Sequence, residues 1–173
     1  MFTYEQAKQM IDKISQVPYP ILSRIYPNKN YANMLKNDFA GDLGEISAIM
    51  QYIYEHIEYS EKQDLSKILK MIAIEEMKHL NTIGKIIKKL GEKPCYEGSI
   101  GNFWSSKNIK YEFKTIEDMI RYNIYTEEMA IQGYRRAMMY TKNLSIRKVL
   151  ERIILDEKTH KQIFENILKN KMV

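Results

Sequence analysis

Apolar positions recur at helical spacing in four long stretches of the chain, and that period, with its start and stop signals, predicts an all-α protein. Thr3 and Gln6 offer a capping box for a short first helix from Tyr4 to Ser15, which Pro18 and Pro20 stop. Residues 16–30 read as a loop. The first long helix is expected from Tyr31 to Tyr59, with an inward stripe of Leu35, Asp38, Asp42, Glu45, Ile49, Tyr52 and His56. The second is expected from Asp64 to Leu90, where Gly91 and Pro94 mark a stop. Thr115 with Asp118 caps a third helix reaching Thr141, and a fourth covers Leu144 to Lys169.

Connection lengths convert these helices into a topology. The links at 60–63 and 142–143 are short, which makes antiparallel pairs of the first two and the last two long helices. Between the pairs, Gly91 to Lys114 carries three glycines and a proline without a clear period, and its 24 residues suit a crossover running the length of a bundle. Phe103 and Trp104 are expected to pin it to the surface. The expected fold is a four-helix bundle over 31–170 with one long crossover between helices 2 and 3, preceded by the short helix and loop of 1–30, all as one domain spanning 1–173.

Composition narrows the function classes. The single cysteine, Cys95, excludes an internal disulfide framework and a Cys-x-x-Cys metal knuckle, and it reads as incidental. No basic-then-apolar leader and no apolar run of membrane-spanning length are visible, so a soluble, cytoplasmic protein without a membrane partner is expected. The net charge of +5 does not signal nucleic acid, because Lys and Arg are interspersed with Asp and Glu in every segment.

One pattern carries the chemistry, and it occurs twice. Glu45-x-x-Ala48-Ile49-x-x-Tyr52 is followed by Glu76-x-x-His79, and Glu127-x-x-Ala130-Ile131-x-x-Tyr134 by Glu157-x-x-His160, with offsets of 31 and 30 residues between the leading glutamates. Two of the chain's three histidines thus fall at matching places in two halves. Residues three apart share a helix face, so each Glu-x-x-His pair can reach one point. Two helices giving a lone Glu and two giving Glu-x-x-His form the ligand set of di-metal carboxylate bundles. Four carboxylates buried without counter-charge would repel each other and resist ionisation, and two divalent cations balance them. Carboxylate and imidazole without thiolate suit two iron or two manganese ions rather than a structural zinc. Glu45, Glu76, His79, Glu127, Glu157 and His160 are the candidate metal ligands, with Glu76 and Glu157 expected to bridge and Glu45 and Glu127 to be terminal. Glu128 is the competing third-helix candidate, disfavoured by the shared Ala and Tyr offsets.

Around that set, Glu75 and Asp156 each precede a ligand and stand four residues ahead of a histidine, so one or other is expected to orient the histidine of the opposite half. Tyr52 and Tyr134 are candidate hydrogen-bond partners of the ligands, candidate redox relays, or core aromatics. His56 lies too far from Glu45 to ligate and reads as structural. Gly41 and Gly44 are costly inside a helix, which suggests close approach of another segment.

Over residues 31–170 the chain resembles the ferritin-like superfamily, and within it rubrerythrins, bacterioferritins and manganese catalases. Glu45-Ile-Ser-Ala-Ile-Met-Gln-Tyr52 and Glu75-Glu76-Met-Lys-His79-Leu80 resemble both bacterioferritin and manganese-catalase helices; Asp156-Glu157-Lys-Thr-His160 resembles the fourth bacterioferritin helix. Gly41-Asp-Leu-Gly44-Glu45 resembles the manganese catalases, in which a glycine-containing turn precedes the first ligand. Ala130 stands where rubrerythrins usually carry an extra Glu, and the rubredoxin module is absent. Manganese catalases are usually longer. Met77 matches the haem methionine position of bacterioferritins, but Glu-Met-Lys-His is common across the superfamily and haem is not expected. The resemblance implies an oxidoreductase acting on hydrogen peroxide or dioxygen with an electron donor that the sequence does not identify; iron storage with ferroxidase activity is the alternative. The Tyr-, Met- and Ile-rich helix surfaces suggest a homodimer or small homo-oligomer.

Overall fold

The computed structural model describes residues 2–98 and 101–170. Its helices are α1 (Tyr4–Ser15), α2 (Lys29–Ala40), α3 (Glu45–Glu58), α4 (Gln63–Lys89), α5 (Ile116–Met139) and α6 (Leu144–Lys169), with a 3-10 turn over Ser106–Asn108. The closest-packed partners are α3 with α4 and α5 with α6, the two antiparallel pairs that short links demand. The capping box at Thr3 and Gln6 forms as expected, and Asn28, Thr115 and Asn143 cap α2, α5 and α6 with their side chains.

The expected continuous helix from Tyr31 to Tyr59 is broken into α2 and α3. At Gly41 the backbone leaves the helical region with ψ −179, and Gly44 takes the N-cap of α3. A Cβ at either glycine would sit 2.5 Å or 2.7 Å from the Asn37 carbonyl oxygen, so the tight turn requires both. Another segment does approach: a Cβ on Gly98, in the crossover, would come within 2.9 Å of Gly41 Cα. The break rotates Asp42 out of the expected inward stripe to an exposed position. It also places Glu45 in the first turn of α3, where unpaired amides and the helix dipole favour an anion.

The crossover from α4 to α5 is tied along α3. Gln51 replaces a backbone partner, its amide donating to the Lys110 carbonyl and its oxygen accepting from the Lys110 N–H, both at 2.9 Å. Trp104 Nε1 donates to Ser47 Oγ at 3.0 Å, as its anchoring role required. Phe103, expected to share that role, is 67% exposed. It pairs backbone with Glu97 in an isolated bridge and directs its ring outward.

Apolar packing splits into two clusters, and the split matters for function. One gathers Leu35, Phe39, Ile83, Ile86, Ile87, Leu150 and Ile153. The other gathers Leu65, Ile68, Ile72, Met119, Ile120, Ile163 and Phe164 around the inner face of α1. Along α4 the two are separated by Glu76 and His79, and along α6 by Glu157 and His160, all four buried. A charged layer therefore crosses the middle of the bundle, where burial of each flanking Leu or Ile is worth roughly 1.5–3 kcal/mol and ionised groups need compensation.

Candidate metal centre

Four helices direct six candidate ligating groups onto this layer. Glu45, Glu76, His79 and Glu157 offer atoms that lie within 4.8 Å of one another, and so do Glu76, Glu127, Glu157 and His160. Glu76 and Glu157 belong to both groups, the shared position expected of bridging ligands. The arrangement is close to two-fold. His79 Nδ1 lies 2.8 Å, 3.2 Å and 3.6 Å from oxygens of Glu76, Glu157 and Glu45. His160 Nδ1 lies 2.9 Å, 3.2 Å and 3.7 Å from oxygens of Glu76, Glu157 and Glu127.

The tyrosines of the repeated pattern cross between halves. Tyr52 donates to Glu127 Oε1, and Tyr134 donates to Glu45 Oε1. Seven residues separate each Tyr from the Glu of its own half, yet it serves the other Glu, because α3 and α5 face each other across the centre. Both rings are buried, and their hydroxyls hold one oxygen of each lone glutamate while leaving the second directed inward. Glu45 Oε2 is buried and has no hydrogen-bond partner among the described residues, an acceptor suited to a cation.

Electrostatics fit the same group. Burial pushes Glu45 and Glu127 well above the usual carboxylate range; for Glu45 the nearby His79 opposes the rise, and for Glu127 the charges of Glu76 and Glu157 add to it. Burial also presses Glu76 and Glu157 upward, but the two imidazoles outweigh it and hold Glu76 far below its ordinary value and Glu157 below it. Burial favours neutral histidine, and the carboxylates outweigh that too, raising His79 and His160 well above theirs. Four carboxylates and two imidazoles buried this close together favour added positive charge, which divalent cations can supply.

Behind the ligands the two halves differ. Asp156 Oδ2 lies 3.3 Å from His79 Nε2, reaching the histidine of the opposite half. Glu75 turns outward to Lys78 Nζ at 2.7 Å and makes no hydrogen bond to His160. His56 stays structural, its Nδ1 2.7 Å from Ser66 Oγ, and Cys95 is exposed and free. Glu128 pairs with Lys161 at 2.9 Å, away from the centre.

Near the site, Tyr122 and Arg136 gave no sequence signal, and Asp38 was read only as part of the inward stripe. A cavity of about 280 Å³ opens onto Glu45, Glu76, Glu127 and Glu157 between α3 and α5, with Asp38, Tyr122 and Arg136 among its walls. Asp38 kept its place on the inward stripe; burial pushes its carboxyl up to about 7 while Arg136 pulls it down. Gly133 makes room for it, since a Cβ there would meet Asp38 Oδ1 at 2.4 Å. Polarity alone identifies none of these partners, because they meet only when α2 is laid across α5.

Glu55, one turn beyond Tyr52, is fully buried and outside the metal cluster. Gln51 Nε2 donates to its Oε1 at 2.8 Å and Asn123 Nδ2 to its Oε2 at 2.6 Å. Burial nevertheless pushes it up to about 8 against those amides. A carboxyl raised in the folded state stabilises below its unfolded value near 4.5, and that contribution is lost as pH rises toward 8. The expected outcome is that Glu55→Gln flattens the decline of stability over this window by on the order of 4 kcal/mol, read as the difference between variant and wild-type urea midpoints across pH. An unchanged slope refutes it.

Two antiparallel helix pairs that turn lone Glu and Glu-x-x-His side chains onto one buried point are the architecture of the ferritin-like superfamily of di-metal carboxylate proteins, and the similarities of this chain support that superfamily. Residues 19–96 match the family model of manganese-containing catalases. Wild-type KatB, a manganese catalase from Anabaena, superposes with a TM-score of 0.80 at 25% identity, covering 90% of this chain and 77% of that one. A bacterioferritin from Desulfovibrio desulfuricans is 27% identical over 128 residues, 71% of this chain and 67% of that protein. A probable manganese catalase from Clostridium acetobutylicum is 21% identical over 162 residues, 82% of this chain and 71% of that protein. Among the described residues, no helix is long and apolar enough to cross a membrane.

Proposed function

We propose that this chain is a di-metal oxidoreductase that decomposes hydrogen peroxide at a pair of manganese or iron ions held by Glu45, Glu76, His79, Glu127, Glu157 and His160. The observation that carries the reading is the near-symmetric cluster of four carboxylates and two imidazoles with a small cavity opening on it. Its match to manganese-containing catalases across the first ligand half, and to KatB across the fold, supports peroxide as substrate.

The paired ions supply two-electron exchange, so that one peroxide is oxidised to dioxygen and another reduced to water. The chain's residues supply the rest. The cavity admits a molecule of peroxide size and the apolar layers above and below exclude bulk water. Tyr52 and Tyr134 fix Glu127 and Glu45 by hydrogen bonds, so each lone carboxylate pivots about a held oxygen. Oxidation of peroxide to dioxygen releases two protons and reduction to two waters consumes two. Asp38, on the cavity wall and titrating near neutrality, can take up a proton at its carboxylate and return it.

The bacterioferritin relative supports a second reading, in which the same centre oxidises ferrous ion as cargo. The expected result separates the two: protein loaded with about two ions per chain evolves dioxygen from peroxide over many turnovers. Uptake of oxidant in proportion to added ferrous ion, with the iron retained in a large shell and no repeated turnover, would instead establish storage.

A further inference from the structure

The pseudo-symmetry of the centre breaks behind the histidines. His79 Nε2 faces Asp156 Oδ2 at 3.3 Å. That carboxylate is itself anchored: Tyr19 donates to Oδ2 at 2.7 Å and Arg152 Nη1 donates to Oδ1. Arg152, 5% exposed, is held in turn by carbonyls at the end of α1 and just after it, with Nε donating to Val17 at 2.7 Å and Nη2 to Ile14 at 2.9 Å, and its guanidinium lies 4.7 Å from the centre of the Tyr19 ring. Tyr19 and one arm of Arg152 thus hold the carboxylate that faces one histidine, and the other arm of Arg152 is anchored to the backbone. On the other side, His160 Nε2 is buried with no hydrogen-bond partner among the described residues, and the carboxylate at the equivalent sequence position, Glu75, is engaged by Lys78.

An imidazole that ligates through one nitrogen is oriented and made a better donor when its other N–H meets a carboxylate, and loss of such a partner typically weakens metal binding about 10- to 100-fold. Resting on the di-metal reading above, we propose that the two metal positions are unequal: the ion on the His79 side is held more tightly than the ion on the His160 side, and Tyr19, Arg152 and Asp156 are the positioning residues that make it so. The N-terminal segment thereby acts on the centre without touching it. The chain's sequence repeat predicts equal halves, and the inequality comes from a loop that only one half possesses.

The test titrates metal-free, full-length protein with Mn(II) alone, following binding by calorimetry and by the electron paramagnetic resonance of free Mn(II). Wild type should bind in two steps separated by about 10- to 100-fold. His160→Ala should leave one ion at the tight affinity and His79→Ala one ion at the weak affinity. Asp156→Asn should move the tight step toward the weak one and leave the weak step in place, and Tyr19→Phe, which preserves the ring under Arg152, provides a milder variant if the Asn form does not fold. Two equal steps in wild type, or a tight step that survives His79→Ala, overturn the inequality while leaving a two-metal centre intact. One merged step in wild type that splits in Glu75→Gln also overturns it, since Glu75 would then be serving His160. Failure of wild type to bind any Mn(II) or Fe(II) is a different result and refutes the di-metal reading itself.

Discussion

Glu76→Ala is expected to empty the centre of both metal ions and to lower peroxide turnover by at least on the order of a hundred-fold. Glu76 makes the shortest contacts to both histidines, with oxygens 2.8 Å from His79 Nδ1 and 2.9 Å from His160 Nδ1 against 3.2 Å to each for Glu157, and like Glu157 it lies in both candidate ligating groups. Its removal takes a ligand from each position at once and leaves two lone carboxylates, already raised by burial, to keep their protons. Elemental analysis after reconstitution with Mn(II) or Fe(II) checks it against wild type, expected at about two ions per chain from the charge balance of four carboxylates. Retention of two ions by the variant would remove Glu76 from the bridging role. Folding of the metal-free variant is checked by circular dichroism on the same samples, because removing one partner of a buried charge cluster typically costs about 3–5 kcal/mol.

Glu127→Ala is expected to abolish turnover while the bridging pair keeps metal in place, and Glu128→Ala to stay near wild type. These neighbours on α5 differ by one helical step of about 100°. Glu127 is 2% exposed, directed at the centre and held by Tyr52; Glu128 is part-exposed, bonded to Lys161 and Gln132. An exposed ion pair of that kind contributes little, typically below about 1 kcal/mol. Steady-state peroxide consumption with metal content measured on the same samples decides the matter. Equal loss in both variants would indicate a folding effect, and loss only in Glu128→Ala would reassign the ligand.

How much of this was legible beforehand differs by residue. Glu45, Glu76, His79, Glu127, Glu157 and His160 were found as candidate ligands from their spacing, because each half of the set lies within one helix, where the period of 3.6 residues relates sequence distance to facing direction. Caps at Thr3 and Thr115 and the stop at Gly91 were equally local, and α1, α4, α5 and α6 lie close to their expected bounds. The break at Gly41–Gly44 carried a signal, two glycines in a helical pattern, whose consequence needed the Asn37 carbonyl and the arrival of Gly98 from the crossover to become definite.

The chain by itself therefore determined the helices, their pairing and the candidate set of carboxylate and imidazole donors, since these depend on spacings of a few residues and on short links. Tertiary structure alone decided which tyrosine serves which glutamate, that Asp156 backs His79 while Glu75 turns to Lys78, and that Tyr19 and Arg152 converge on one side only. Except for the local pairs Glu75–Lys78 and Arg152–Asp156, those contacts join residues tens of positions apart, through helix crossings and a loop with no period. A hydrogen bond over 2.7–3.3 Å depends on displacements smaller than one turn of helix, which the order of residues along a strand of sequence does not encode until the elements pack.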